Sequence, residues 1–519
     1  MRQGPSPREA RIVDDRCIIT VDIGTSSLRS VLFDARGRIL RIEQRDNPPR
    51  CLDGQRIEQE PGTWERHLIE TLSACADEAR GRGLVTVALS LTAQRSSVIP
   101  VDENGAPLHP AIMWQDTRTR DICSRMEERQ AAVFQKTGLR IYPVFSAVKM
   151  TWFRENRPDV YEAACKMLGV QDYVIRALTG EFVTDRSLAS RTNLFNLRTL
   201  DWDDDLLGLF GVDRGKLCRL VDPGSAAGSL RASIAEETGL PKGIPVITAG
   251  GDQQCAALGL GLVGPGRMIA NTGTGSFLIA GVDRPIIDPG MAVSCNVAAV
   301  PGSYILEAAS PTSGSIFRWF NKEFFRDAPG GENDFLAIGA EAASSPPGAN
   351  GVVLLPHFKG RGAPRWDPRA KGAFLGLTPG VTRGDMARAI LEGLAAELGE
   401  NLEAIESLGG RADLIAVAGG MTASDLYNQI QADHYGKRVD RPGVTEATAL
   451  GAWMSGAVTM GLFDSYAGAF ESASEGQPTR SYDPDARTAA IYRRSSVWRR
   501  RAYEALRECD CQTDAMEES

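Results

Sequence analysis

Apolar runs of strand length recur along the chain, each closed by glycine or by a small polar turn. The first, Cys17 to Ile23 (CIITVDI), passes through Gly24 to Ser27 into a second run near Ser30 to Phe33 (SVLF), which ends in DARG. That pattern predicts a hydroxyl-rich hairpin at the start of the fold. Further runs at 85–91 (VTVALSL), 244–250 (IPVITAG) and 414–420 (LIAVAGG) alternate with helical stretches such as 386–408. The alternation predicts an α/β fold.

One short element occurs twice. Asp22 to Leu28 (DIGTSSL) has a counterpart in Asn271 to Phe277 (NTGTGSF), each between two strand-like runs. The repetition predicts two related units, 1–250 and 251–508, followed by a polar, frayed tail over 509–519. A length of 519 residues agrees, being more than one hydrophobic core usually serves.

With 43% hydrophobic and 24% charged residues the chain falls in the globular range, which excludes wholesale disorder. Its 58 Lys+Arg against 66 Asp+Glu leave a formal charge of -8, so no basic field attracts nucleic acid or an anionic membrane. Any anionic ligand must be held locally. The first residues lack the apolar core of a signal peptide and no run of about eighteen apolar residues follows, so the expected location is the cytoplasm. Ten cysteines without a CxxC pair, and four histidines, fit neither a zinc cluster nor a disulfide framework, and predict buried reduced thiols.

The candidate chemistry lies where strands end. In DIGTSS, Gly24 permits a tight turn, while Thr25, Ser26 and Ser27 offer hydroxyls and amides to phosphate oxygens. Asp22, closing the strand, could hold a magnesium ion. An ordinary hairpin turn explains this fragment equally well. The second loop, Thr272, Gly273, Thr274 and Gly275, shifts the balance toward two turns that clamp a nucleotide's phosphates. Asp252 follows Gly250-Gly251 at the start of a small-residue helix, where ligands bind α/β sheets, and could accept a proton from a substrate hydroxyl. It could equally be a helix N-cap. Gln253 beside it, with Gln94 and Arg95 after another strand, would bind a polyhydroxylated ligand, and Trp114 would pack on its carbon face. The alternatives are a solvent-facing position for Gln253, a surface ion pair for Arg95 and a core position for Trp114. Gly419 and Gly420 would admit a flat base, with Ser424 in contact, or would simply mark a turn. The small residues of 443–456 predict a helix packed closely on a neighbour.

Taken in order, DIGTSS, QR, WQDTR, GGDQQ, NTGTGSF, RWDPRAKGAFLGL, AGG and TEATALGA resemble the FGGY family of carbohydrate kinases over nearly the whole chain. The resemblance implies two ribonuclease-H-like domains of the actin-like ATPase type, with ATP, Mg2+ and substrate in the cleft between them, and a homodimer as a family-level expectation. It implies Asp252 as catalytic base and Asp22 as the magnesium-associated aspartate. Phosphate loops fall at Gly24 to Ser27 and Thr272 to Gly275, with Arg29 near the transferred phosphate and Gly420 and Ser424 on the adenosine side. Within the family the motifs are similar to glycerol kinases, whose polyol site matches Arg95, Trp114, Asp252, Gln253 and Phe277. Two positions depart. Ser96 stands where those enzymes carry a glutamate, and Val144 where they carry a tyrosine. Both changes enlarge the pocket, so the expected substrate is a longer acyclic polyol, erythritol first. Other readings are a kinase for glycerol, xylulose or ribulose, an actin-like chaperone or scaffold ATPase, and a catalytically silent sugar-sensing relative.

Overall fold

A computed structural model of the chain describes residues 14–273, 275–324 and 335–517, the last stretch by backbone alone at 335–337 and 509–517. Two mixed sheets organise it. The first takes β1 (Arg16–Ile23), β2 (Ser27–Asp34), β3 (Ile39–Asp46), β4 (Val85–Ala93), β5 (Ser225–Ser229) and β6 (Pro245–Gly251), with α1 (Pro61–Gly81) and α2 (Val170–Thr179) on one face. Its order is β5-β6-β4-β1-β2-β3. The hairpin strands β1, β2 and β3 run antiparallel to one another, and β4 and β6 run parallel to β1. Inner strands such as β1 are buried on both faces, which explains their near-continuous apolar sequence.

After α3 (Asp252–Gly259) the plan repeats: β7 (Gly266–Thr272), β8 (Ser276–Val282), β9 (Ser294–Val297), β10 (Tyr304–Ser310), α4 (Arg383–Ser407), β11 (Ala412–Ala418), α5 (Asp425–Tyr435), β12 (Arg438–Arg441), α6 (Ala447–Thr459), β13 (Arg480–Tyr482) and α7 (Ala486–Glu517). The order is β9-β10-β8-β7-β11-β12-β13. Antiparallel β7, β8 and β10, with β11 and β12 parallel to β7, reproduce the directions of the first sheet. Both are ribonuclease-H-like. α4 starts at a capping box in which Thr382 and Asp385 exchange side-chain and backbone bonds.

The two halves trade helices. α3 packs on the second sheet, where Ala257 and Leu260 meet Ile269, Ile279 and Ala416. α6 packs on the first, where Leu450, Trp453 and Ala457 meet Ile18, Val31, Phe33 and Ala249. Where α3 and α6 cross, backbone touches backbone: a Cβ on Gly451 would lie 1.9 Å from the Cys255 carbonyl oxygen, and one on Gly259 2.0 Å from that of Ala447. The small residues of 443–456 serve this approach, as their composition predicts.

Two expectations are corrected. β2 begins at Ser27, earlier than the apolar run, because the ladder with β1 also pairs the polar Asp22 and Arg29. The backbone of 509–517 continues α7. All eight described cysteines are free thiols, but Cys51 is exposed on a two-residue strand that buries neither side chain. Among the described residues no helix is long and apolar enough to cross a membrane.

Candidate active site

The turn between β1 and β2 is closed by the Gly24 N–H, which donates to the Ser27 carbonyl at 2.9 Å. Gly24 keeps an ordinary φ, so its value there is space rather than left-handed backbone. Thr25 Oγ1 accepts from Trp114 Nε1 at 2.9 Å and donates to Gln94 Oε1 at 3.4 Å, while Gln94 Nε2 donates to the Gly24 carbonyl at 3.2 Å. Gln94 is thus a buried brace for the turn. Trp114, 37% exposed, stands over the turn instead of filling the core. Ser26 lies exposed at the tip and Ser27 half-buried at its base.

Asp22 closes β1 at 8% exposure. Burial and the nearby Asp252 carboxylate push its pKa up to about 7, against the pull of Arg29. Arg29, opposite it in the ladder, donates to Gln44 Oε1 at 2.6 Å and pairs with Glu446 at 3.2 Å.

Asp252 is the first residue of α3, whose N-cap is Gly251. Its Oδ1 accepts from the adjacent Gln253 N–H at 2.7 Å, so it does not make the bond to the second or third helical amide that defines a capping side chain. Burial raises its pKa and Arg95, whose Nε lies 3.7 Å away, opposes the rise. Arg95 has no surface partner among the described residues. It donates to Glu307 on β10 at 2.9 and 3.4 Å and to Gln254 Oε1 at 3.3 Å. Arg191 approaches the same carboxylate at 3.3 Å. Burial alone would raise the Glu307 pKa, but the two guanidinium groups hold it below the usual range. Burial and repulsion from Arg95 lower that of Arg191 to about 10. Glu307 pairs with Ile279 across the β8–β10 ladder, one pleat from the Phe277–Ala309 pair, so Phe277 and Glu307 share a sheet face.

Ser96 adopts φ 71° and donates from Oγ to the Arg191 carbonyl at 3.1 Å. The segment holding Val144 is fixed by Lys149, whose ammonium donates to the carbonyls of Pro143, Val144 and Phe145 at 2.8, 2.7 and 3.4 Å. Burial lowers the Lys149 pKa to about 7.

In the second half a cavity of about 670 Å³ is lined by Gly273, Phe317, Leu391, Gly420, Met421 and Ser424, among others. The double glycine divides its work. Gly419, at φ 95°, meets the end of β7, where a Cβ would fall 2.3 Å from the Thr272 carbonyl oxygen, whereas Gly420 faces open space. Ser424 Oγ caps α5 by accepting from Tyr427 N–H at 3.3 Å. Thr272 is fully buried and Gly273 exposed; a Cβ on Gly275 would press the Ser310 carbonyl oxygen at 2.8 Å. Thr274 lies outside the described residues.

Glu307 and Arg191 escaped the sequence reading. The one local signal was a carboxylate inside the otherwise apolar run YILEAAS, which a buried strand tolerates only with a partner. Arg191 carried no such mark.

Two ribonuclease-H-like halves, a hydroxyl- and glycine-rich turn in each, a nucleotide-sized cavity and a buried carboxylate within an arginine cluster define a phosphotransferase of the actin-like ATPase class. The chain belongs to the FGGY family of carbohydrate kinases, matching its N-terminal domain over residues 17–259 and its C-terminal domain over 268–460. It is 35% identical to a glycerol kinase of Thermus brockianus over 502 residues, covering 93% of this chain and 97% of that one. A glycerol kinase of Thermococcus onnurineus is 35% identical over 448 residues, or 84% and 88%. Among solved structures, a xylulose kinase from Rhodospirillum rubrum superimposes with a TM-score of 0.88 at 25% identity, over 95% of this chain and 99% of the other. The chain is therefore an ATP-dependent carbohydrate kinase, with Mg2+ as the usual metal partner of ATP. The residues fit such an ion. Asp22 is an all-oxygen donor whose proton affinity is raised by burial and a neighbouring carboxylate, a strain that a cation relieves, and magnesium commonly takes one or two carboxylates beside phosphate oxygens.

Proposed function

We propose that this kinase phosphorylates a hydroxyl of a small acyclic polyol, with erythritol the leading substrate. The observation that carries the reading is the small side chain at Ser96: its hydroxyl proton is donated to the Arg191 carbonyl, and half-buried Val144 adds no polar group. A wall with so little bulk suits a chain one hydroxymethylene longer than glycerol. The boundary between the two catalytic units is proposed near residue 250, between β6 and α3.

In this reading Arg95, Gln253 and Trp114 orient the substrate beside Asp252, with Phe277 on the pocket's second-half side. Asp252 takes the hydroxyl proton as oxygen attacks the γ-phosphorus. Turn amides and hydroxyls at Gly24 to Ser27 and Thr272 to Gly275, with Arg29, neutralise the phosphoryl oxygens, and the cavity at Gly420 and Ser424 receives the adenosine. Magnesium held at Asp22 would supply further charge neutralisation on the phosphates.

The test is kcat/KM with Mg-ATP for glycerol, erythritol, ribitol, xylitol, xylulose, ribulose and gluconate. The expected preference is erythritol, with Ser96→Glu and Val144→Tyr moving it toward glycerol. Efficient use of a pentulose with no activity on tetritols would overturn the polyol reading. ATP hydrolysis stimulated by unfolded peptide and by no polyol would favour a chaperone-like ATPase.

A further inference from the structure

Beyond Arg95 and Asp252, the buried cluster contains polar groups that the protein leaves unsatisfied. Arg191 Nη1 donates to Asn296 Oδ1 at 3.2 Å as well as approaching Glu307, yet its buried Nε has no partner among the described residues. Asn296, on β9 with no exposed surface, has a buried Nδ2 in the same condition. Its amide cannot be turned to help, because Oδ1 is the acceptor for Arg191. A third buried orphan, the acceptor Gln253 Oε1, adjoins Asp252. Native proteins rarely leave such groups unpaired, and a hydroxyl, which both accepts and donates, satisfies all three kinds.

Arg191 also touches both walls on which the substrate reading depends. Its carbonyl receives the Ser96 hydroxyl, and its guanidinium lies 5.0 Å over the ring of Phe145, the neighbour of Val144. Its charge is felt at Arg95 and Asp252. A side chain so placed lies within electrostatic reach of the Asp252 carboxylate.

We infer that Arg191 and Asn296 form the far wall of the acceptor site, donating their free N–H groups to a substrate oxygen beyond the three carbons nearest the reacting hydroxyl, and so select longer acyclic acceptors. The inference rests on the proposed reading that this cleft takes an extended acceptor. Asn296 comes from the second half of the chain and Arg191 from the first, so the wall is complete only when both halves are in place.

The experiment compares kcat/KM for glycerol, erythritol and ribulose in the wild type, Arg191→Lys and Asn296→Ala, with KM for ATP followed alongside. A hydrogen bond from a neutral donor lost on one acceptor gives a roughly five- to tenfold effect, and one from a charged donor roughly ten- to a hundredfold. The expected result is that the four-carbon acceptor loses more than glycerol by these factors, mainly in KM, with KM for ATP little moved. If Arg191→Lys fails to fold, Asn296→Ala decides alone. Equal losses on every acceptor would show a merely structural role and overturn the inference. A wild type that prefers erythritol, with unchanged discrimination in the variants, would overturn the inference and leave the polyol reading standing. A wild type that prefers ribulose, with the excess loss falling on ribulose, would sustain the far wall and overturn the polyol reading. A wild type that prefers glycerol to every longer acceptor would overturn both.

Discussion

Replacing Glu307 by glutamine keeps the shape of the side chain but removes the charge that holds Arg95 and Arg191 together. Stability should fall, because two buried guanidinium groups lose their shared carboxylate; breaking a buried pair costs about 3–5 kcal/mol, and the retained amide oxygen places Glu307→Gln near about 3 kcal/mol. The second effect has a definite sign. Asp252 carries a pKa raised by burial, lowered by Arg95 and raised again by Glu307, and it can act as base only when deprotonated. Losing Glu307 removes a like charge and frees Arg95, 3.7 Å from Asp252, to pair more closely with it. Both changes lower the Asp252 pKa. With saturating Mg-ATP, the acid limb of kcat/KM for the acceptor should move to lower pH. The maximum should fall about a hundredfold as Arg95 loses its orientation. Denaturation curves and a pH–rate profile from pH 5 to 9 give both readouts. An acid limb that stays in place or moves to higher pH would refute the assignment of Asp252 as a base governed by this cluster.

Asp252→Asn should keep the fold and ATP affinity while turnover drops by about a hundredfold to ten-thousandfold, and near-normal turnover would remove Asp252 from the base role. Asp22 has a folded pKa of about 7 against 3.8, so in magnesium-free buffer its ionisation destabilises the fold progressively as pH rises between those values. Asp22→Asn should then be more stable than wild type at pH 8 by up to roughly 4 kcal/mol and gain much less at pH 5, as read by urea denaturation. In Gly451→Ala the new Cβ would sit 1.9 Å from the Cys255 carbonyl oxygen. Overpacking of about 1–3 kcal/mol should exceed the gain of about 0.5–1 kcal/mol from replacing a helical glycine; an increase in Tm would contradict the close helix crossing.

The α/β class, both hairpins, the long helix α4 and the small-residue helix α6 were legible because each is written locally, in periodicity or in runs of glycine and alanine. The two hydroxyl- and glycine-rich turns were legible for the same reason, being short and repeated. What stayed hidden needed three-dimensional pairing. Glu307 and Arg95 pair across 212 residues of sequence, and Arg191 and Asn296 across 105, so neither pair is marked by local spacing. Local spacing also leaves the partners of individual residues unread: Gln94 braces the turn, and Gly419, unlike its neighbour Gly420, lies against the Thr272 carbonyl.

The packing of α6 on the first sheet bears on how the chain is made. A ribosome releases β1 to β6 long before Ala447, so Ile18, Val31, Phe33 and Ala249 emerge without the leucine, tryptophan and alanine side chains that cover them in the finished molecule. The early half cannot complete its own burial during synthesis and presents an apolar face, a natural target for chaperones and for aggregation, until the later half arrives. The same dependence makes the two halves inseparable in evolution as well as in folding: a fragment ending after β6 would have its strands and no lid, and a change on the inner face of α6 would be felt first by a sheet encoded at the opposite end of the gene.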